Sequence, residues 1–334
     1  MNTNIYYNSQ DLRSRNALFN FVIGERGNGK TFDFKKYCID SYAKKKKQFI
    51  WTRRYETEFA DIDLFFTDLH KDKEFYEKYK DVEFSVKGGK FYYNKEVMGY
   101  YIPLSKQLTK KSTPYPDVDK IVFDEFIITK ANYHYLPKEV INFFEFYSTI
   151  SRLRDVKVYF ISNAISWNNP YFVALDIQIE GKRFTKKGKD ILVELTDTPD
   201  YREKVKETRF YNIIKGTGYE RYAVNNEFLL DNHSFIEKRG EKARNVFNLK
   251  INKTILGIWF DYEKGKIYVS KKYDSSMATY CIYTDDMQPN YYLLNSRINN
   301  MKQLKSAIQY GYIYYEDFAT KSLFSEVLKF LNMK

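Results

Sequence analysis

Apolar positions along this chain fall into two rhythms, and the change between them marks a domain boundary. Up to about residue 195, apolar runs of strand length alternate with longer stretches that carry apolar residues at helical spacing. Leu18-Phe19-Asn20-Phe21-Val22-Ile23 reads as a buried strand, and Thr31 to Ala43, without Pro or Gly, as the helix that follows it. Gln48 to Thr52 is a second strand. Glu56 to Tyr79 places Phe59, Ile62, Phe65, Phe66 and Leu69 at helical intervals and predicts a helix. Val82 to Val86, Phe91 to Tyr93 and Val97 to Leu104, punctuated by Gly88-Gly89 and Asn94-Lys95, predict a small antiparallel meander. Ser105 to Asp117 is polar, contains Pro114 and Pro116, and reads as an exposed loop. Lys120 to Phe123 forms a strand running into Asp124-Glu125. Pro137 opens a helix that runs through Arg154. Val156 to Ile161 is a further strand ending in Ser162-Asn163. A hairpin is expected from Asp176–Ile179 and Ile191–Leu195, then a charged connecting helix from Tyr201 to Ile214.

This alternation predicts an α/β parallel sheet flanked by helices over residues 1–198. A linker over 199–228 follows. From 229 to 334 the pattern becomes α+β: Ile255 to Asp261 and Lys266 to Val269 form a hairpin around Glu263-Lys264-Gly265, and residues from Leu304 onward look helical.

The junction between the first strand and the first long helix carries the clearest chemistry. Gly24-Glu25-Arg26-Gly27-Asn28-Gly29-Lys30-Thr31 matches the phosphate-binding P-loop pattern in full. Its glycines let backbone N–H groups turn inward onto phosphate oxygens, Lys30 reaches the β- and γ-phosphates of ATP, and the Thr31 hydroxyl binds Mg²⁺. A chance Gly-rich turn need not sit between a strand and a helix, as this one does. The second half of such a site is Asp124-Glu125, 94 residues beyond Lys30. Asp124 would hold the metal, and Glu125 would polarise a water for in-line attack on the γ-phosphate. A phosphotransferase does not need that second carboxylate, so the pair favours hydrolysis.

Other candidates carry two readings each. Asn163 ends the next strand, where it could contact the attacking water or serve as an ordinary turn residue. Arg152 and Arg154 end the preceding helix, either complementing its dipole or acting as an arginine finger toward a neighbouring subunit. Arg26 in the loop, Lys111 on the polar segment, and Arg53-Arg54 at a strand end are further phosphate or DNA contacts, or surface cations.

Charge sharpens the picture. Lys and Arg number 55 against 43 acidic residues, a formal balance of +12. The excess is diffuse: 33 basic and 27 acidic residues fall in 1–198, and 16 and 11 in 229–334. That favours a polyanionic partner, or solubility alone. The two cysteines, Cys38 and Cys281, are too far apart in sequence to suggest a metal or redox motif, and a reducing cytoplasm is the simplest home. No run reaches ~18 apolar residues, so no membrane span is expected.

With these motifs placed, the sequence resembles the genome-packaging ATPases (genome encapsidation proteins) of small podophages that replicate by protein priming. The resemblance rests on Phe19 to Gly24 leading into the P-loop, Gln48-Phe49-Ile50 with Arg53-Arg54-Tyr55, and Ile121 to Phe126. It extends to Ser162-Asn163-Ala164 with Asn169-Pro170-Tyr171-Phe172, and to Phe235 to Arg239, in order across nearly the whole chain. It implies an additional-strand, catalytic-Glu P-loop ATPase, a linker, and a C-terminal domain similar to a vestigial RNase H-like nuclease. It also implies a homo-oligomeric ring, a pentamer, docked on the portal of the prohead in the host cytoplasm, absent from the mature virion, and driving double-stranded DNA inward. In some members a prohead RNA lies between ring and portal. The family's trans-acting arginine falls on Arg152, with Arg154 the alternative alignment. Its lid lysine falls on Lys111, with Lys110 adjacent.

A two-metal nuclease needs several converging carboxylates. Asp261 is placed where the first strand of such a fold would carry one, and Asp285-Asp286 could be a second group, but no third is evident. Asp261 then reads as a turn residue and no cleavage is expected. The rival functions are a helicase or other oligomeric nucleic-acid ATPase, a terminase with a live nuclease, and a nucleotide-binding portal component that does not hydrolyse.

Overall fold

The structure, a computed structural model, describes residues 5–106, 114–128, 134–163, 169–177, 179, 183–224, 235–251, 254–294 and 300–331. It separates into two compact units, one of Met1–Ser166 with Ile179–Leu229, the other of Trp167–Gln178 with Leu230–Lys334.

The first unit is built on a nine-stranded sheet. Its strands are β1 (Phe19–Gly24), β2 (Gln48–Thr52), β3 (Phe84–Lys87), β4 (Lys90–Tyr93), β5 (Glu96–Tyr101), β6 (Val118–Asp124), β7 (Lys157–Asn163), β8 (Phe184–Lys187) and β9 (Ile191–Leu195). Their order is β3-β4-β5-β2-β6-β7-β1-β9-β8. The inner strands from β5 to β9 run parallel. β3, β4 and β8 extend the edges antiparallel. Parallel strands are covered on both faces and read as continuous apolar runs, as Phe21-Val22-Ile23, Ile121-Val122-Phe123 and Val158 to Ile161 do. Neighbouring strands lock through stacked rings, with Phe21 and Phe160 at 4.3 Å. The helices of this unit are α1 (Gln10–Ser14), α2 (Lys30–Lys45), α3 (Thr67–His70), α4 (Lys73–Tyr79) and α5 (Glu139–Ser151). Beyond α6 (Pro170–Ala174), which belongs to the second unit, come α7 (Pro199–Lys206), α8 (Arg209–Ile214) and α9 (Gly218–Ala223).

Three expectations are corrected. The stretch Glu56 to Tyr79 is not one helix but two short 3₁₀ turns followed by α3 and α4. Asp72 breaks it: its side chain accepts the Phe75 N–H at 2.8 Å and starts a new helix there. Likewise Thr208 caps Tyr211 N–H at 3.1 Å and divides Tyr201–Ile214 into α7 and α8. The hairpin partner of Ile191–Leu195 is Phe184–Lys187, not Asp176–Ile179. Gly188, with φ +61°, gives the reversal its left-handed residue.

The second unit carries β10 (Arg244–Ile251), β11 (Thr254–Asp261), β12 (Lys266–Ser270), β13 (Thr279–Cys281), β14 (Tyr291–Leu293) and β15 (Ile313–Tyr315). They form one sheet in the order β14-β13-β10-β11-β12-β15. The predicted hairpin is β11–β12, closing at Asp261 opposite Lys266. α10 (Met301–Tyr310) and α11 (Phe318–Phe330) supply Met301, Leu304, Phe324 and Val327 to a core with Leu249, Leu256 and Val269. Among the described residues no helix is long and apolar enough to cross a membrane.

Candidate nucleotide-binding site

β1 ends at Gly24 and α2 begins at Lys30, so the loop lies at the C-terminal edge of the parallel sheet, where α/β folds bind ligands. Gly27 and Gly29 have φ of +80° and +93°, values that strain a residue with a side chain. Gly24 is required for a different reason. A Cβ there would lie 1.5 Å from Thr196 Oγ1.

The loop is braced from within. Glu25 is fully buried and accepts from Asn28 Nδ2 at 3.0 Å, Thr196 Oγ1 at 3.1 Å, Thr198 N at 3.4 Å and an Arg202 guanidinium nitrogen at 2.6 Å. All four partners are donors, which an ionised carboxylate alone can satisfy without rearrangement. Glu25, expected in the nucleotide-binding loop, turns its side chain into the protein, so it is the backbone of this position that is left to face phosphate. Asn28, also expected there, is fully buried in the same network. Thr196, Thr198 and Arg202 escaped the sequence reading because nothing in their local pattern ties them to a loop some 170 residues upstream.

Lys30 is 5% exposed. Its ammonium donates to Gly24 O at 3.1 Å, Glu25 O at 2.6 Å and Asn28 Oδ1 at 3.0 Å. Burial pulls its pKa from 10.5 down to about 7, opposed in part by Glu25 and Asp124. Thr31 Oγ1 lies 3.4 Å from Asp124 Oδ1. A hydroxyl and a carboxylate converging in this way fit Mg²⁺, a cation that takes oxygen ligands and usually one or two carboxylates besides phosphate and water. The other oxygen, Asp124 Oδ2, accepts from Arg53 at 2.6 and 3.1 Å. This pair keeps the Arg53 guanidinium charged and fixes the Asp124 carboxylate beside Thr31.

Glu125 follows with φ +57°, a left-handed conformation that costs a non-glycine residue about 1–3 kcal/mol. β7 lies between β1 and β6, so Asn163, paired with Gly24, ends its strand between the loop and the acidic pair.

Other candidates lie elsewhere. Arg54, expected as a nucleotide or DNA contact, is 2% exposed and paired with Glu139. Arg154 donates to the carbonyls of Tyr115, Pro116, Val118 and Ile150 at 2.6–2.8 Å. Those bonds hold it at the start of β6, six residues or ~20 Å from Asp124 by strand rise. It therefore does not bind nucleotide in its own subunit. Arg152 is exposed and closes α5 with φ +41°, also at the sheet edge away from the P-loop. Arg26 is exposed, and its carbonyl accepts from Tyr201 Oη at 3.2 Å. Lys111 and Lys110 lie outside the described residues. The N-terminal segment, which sequence reasoning passed over, straps the loop: Tyr7 N–H donates to Asn28 O at 2.9 Å, and the Tyr6 and Tyr201 rings lie 5.8 Å apart.

A mixed α/β chain with a braced P-loop facing an acidic strand end is a nucleotide-site architecture. The chain matches the family described as podovirus DNA encapsidation protein (Gp16) over residues 1–333, and it belongs to that family. It is 36% identical over 334 residues to the DNA packaging protein of Bacillus phage PZA, covering 98% of both chains. With the DNA packaging protein of Bacillus phage phi29 it shares 35% identity over 334 residues, again covering 98% of each. Among solved structures, it resembles a chain of the phi29 viral genome packaging motor assembly with TM-score 0.79 and 35% identity, covering 98% of this chain and 99% of that one. The N-terminal domain of the phi29 DNA packaging ATPase matches at TM-score 0.54 and 38% identity, covering 59% of this chain and 99% of that domain.

Proposed function

We propose that this protein is an ATP hydrolase that drives double-stranded DNA into a prohead through the portal, working as a homo-oligomeric ring. The observation that carries this reading is the juxtaposition of Lys30-Thr31 with Asp124-Glu125 across the strand that ends in Asn163. That order, with β7 inserted between β1 and β6, supports the additional-strand, catalytic-Glu reading.

Lys30 binds the β- and γ-phosphates, and their negative charge restores the ammonium that burial disfavours. Thr31 and Asp124 would hold Mg²⁺, which would supply charge neutralisation to the phosphates. Glu125 accepts a proton from the attacking water, Asn163 orients that water or the γ-phosphate, and Arg152 reaches the site from a neighbouring subunit. The pentameric ring, the prohead RNA, the transient docking in the host cytoplasm and the absence from the mature virion come from the family resemblance and belong to the same proposal.

For the second unit, the RNase H-like reading is supported by three consecutive antiparallel strands, β10–β12, with β13 and β14 added in parallel beside β10. Asp261, expected on the first strand, ends the second one and accepts Lys264 N–H at 3.0 Å in the turn. β10 carries Asn245 and Asn248 at its buried or half-buried polar positions, which supports a domain without cleavage activity.

The test is ATP turnover by the full-length chain, with and without double-stranded DNA, beside Glu125→Gln. DNA-stimulated turnover that falls by about 10²–10⁴-fold in the variant is expected for a lost general base. Equal turnover in both proteins would sink the assignment.

A further inference from the structure

The Arg54–Glu139 pair is buried, with side chains 2% and 1% exposed. Arg54 Nε and one terminal nitrogen meet the two Glu139 oxygens at 2.7 and 2.9 Å, a fork-to-fork contact. The aromatic rings of Tyr135 and Phe123 lie 4.9 and 5.6 Å from the guanidinium carbon. Burying two charges this completely is a poor route to stability, since well-packed apolar residues of the same volume would often serve as well. What the pair does supply is direction. The guanidinium donates to Phe126 O at 2.7 Å and to Glu125 O at 3.4 Å. Those are the carbonyls of the left-handed Glu125 itself and of the residue after it. On the far side, Phe126 N–H reaches Ile161 O on β7 at 3.4 Å. Glu139 in turn also accepts Leu136 N–H at 2.8 Å, and it opens α5.

We propose that Arg54 and Glu139 are positioning residues for Glu125. The guanidinium clamps the two carbonyls that follow the strained Glu125 φ, and Glu139 aims the guanidinium. Neither side chain touches the reacting atoms. A lysine at 54 would keep the charge but lose the fork that spans carboxylate and carbonyls together. The proposal rests on Glu125 acting on water as described above.

The test uses the full-length chain with ATP, Mg²⁺ and double-stranded DNA. Arg54→Lys, Glu139→Gln, Glu125→Gln and the Arg54→Lys/Glu125→Gln double variant are compared, with melting temperatures measured alongside. A misaimed Glu125 should lower kcat about ten- to a hundred-fold. KM for ATP and the Kd of a non-hydrolysable analogue should stay within about twofold, since phosphate binding lies with other residues. In the Glu125→Gln background Arg54→Lys should add less than about a further twofold, because the residue it positions is gone. A wild-type kcat in Arg54→Lys and Glu139→Gln, beside an inactive Glu125→Gln, overturns this inference and leaves the ATPase reading standing. So do additive losses in the double variant. Full turnover by Glu125→Gln overturns both. Should Arg54→Lys melt below the assay temperature, Glu139→Gln, which keeps the shape of the side chain, decides alone.

Discussion

Replacing Glu25 with Gln exchanges one oxygen for an amide nitrogen inside the loop brace. The carboxylate receives Asn28 and Thr196 on one oxygen, and Thr198 N–H and Arg202 on the other. Whichever way the Gln amide is turned, its NH₂ faces donors and leaves buried hydrogens unpaired, at about 1–3 kcal/mol. Loss of the ion pair adds less than a fully buried pair would. Arg202 is 23% exposed and keeps Asp197. The sum is roughly 2–4 kcal/mol, or about 5–15 °C in Tm for a unit of this size. Because Asn28 Oδ1 and Glu25 O also hold Lys30, the loosened loop should bind nucleotide more weakly as well. Thermal melting and titration with a non-hydrolysable ATP analogue measure both quantities. Arg202→Gln is the control and should show the smaller loss. A Glu25→Gln protein that melts within about 1 °C of wild type would refute the donor-only argument for the brace.

Three further outcomes follow from the same geometry. Arg154→Ala should lower Tm, by about 3–8 °C if one or two of its four carbonyl partners go unpaired, while leaving nucleotide affinity unchanged; weaker affinity would contradict its placement at the far sheet edge. Arg152→Ala and Glu125→Gln proteins, each inactive alone, should regain part of the turnover when mixed if, as proposed, a site draws Glu125 from one copy and Arg152 from another; failure to complement under conditions where the two assemble would count against a trans role. Burial raises the Cys38 thiol from 9 to about 12, so the folded chain keeps a proton that the unfolded chain loses between those values, and stability should fall as pH rises from 9 toward 12. At pH 8 Cys38 should react with a thiol reagent only on unfolding, and rapid native labelling would refute its burial.

How much of this could be read from the sequence depends on distance along the chain. The P-loop, the acidic strand end and the strand ending in Asn163 were legible because each is a local pattern, and a parallel sheet places strand ends together by topology. The one-helix reading of Glu56–Tyr79 failed because apolar spacing does not register a competing side-chain cap, here Asp72. The roles of Arg54, Arg154 and Glu25 were hidden for a stronger reason. All three are charged residues that look like surface or ligand contacts, and their partners lie 85, 39 and 177 residues away. Charge alone cannot say whether a cation faces phosphate or a buried carboxylate.

On the proposed function, hydrolysis at this site moves DNA. The most direct measurement adds the full-length chain, proheads, genome DNA and ATP, then nuclease, and counts the DNA protected. Wild-type protein should protect DNA with ATP and none with a non-hydrolysable analogue, and Glu125→Gln should protect none with either. Protection that persists in Glu125→Gln, or with the analogue, would contradict a motor driven by hydrolysis.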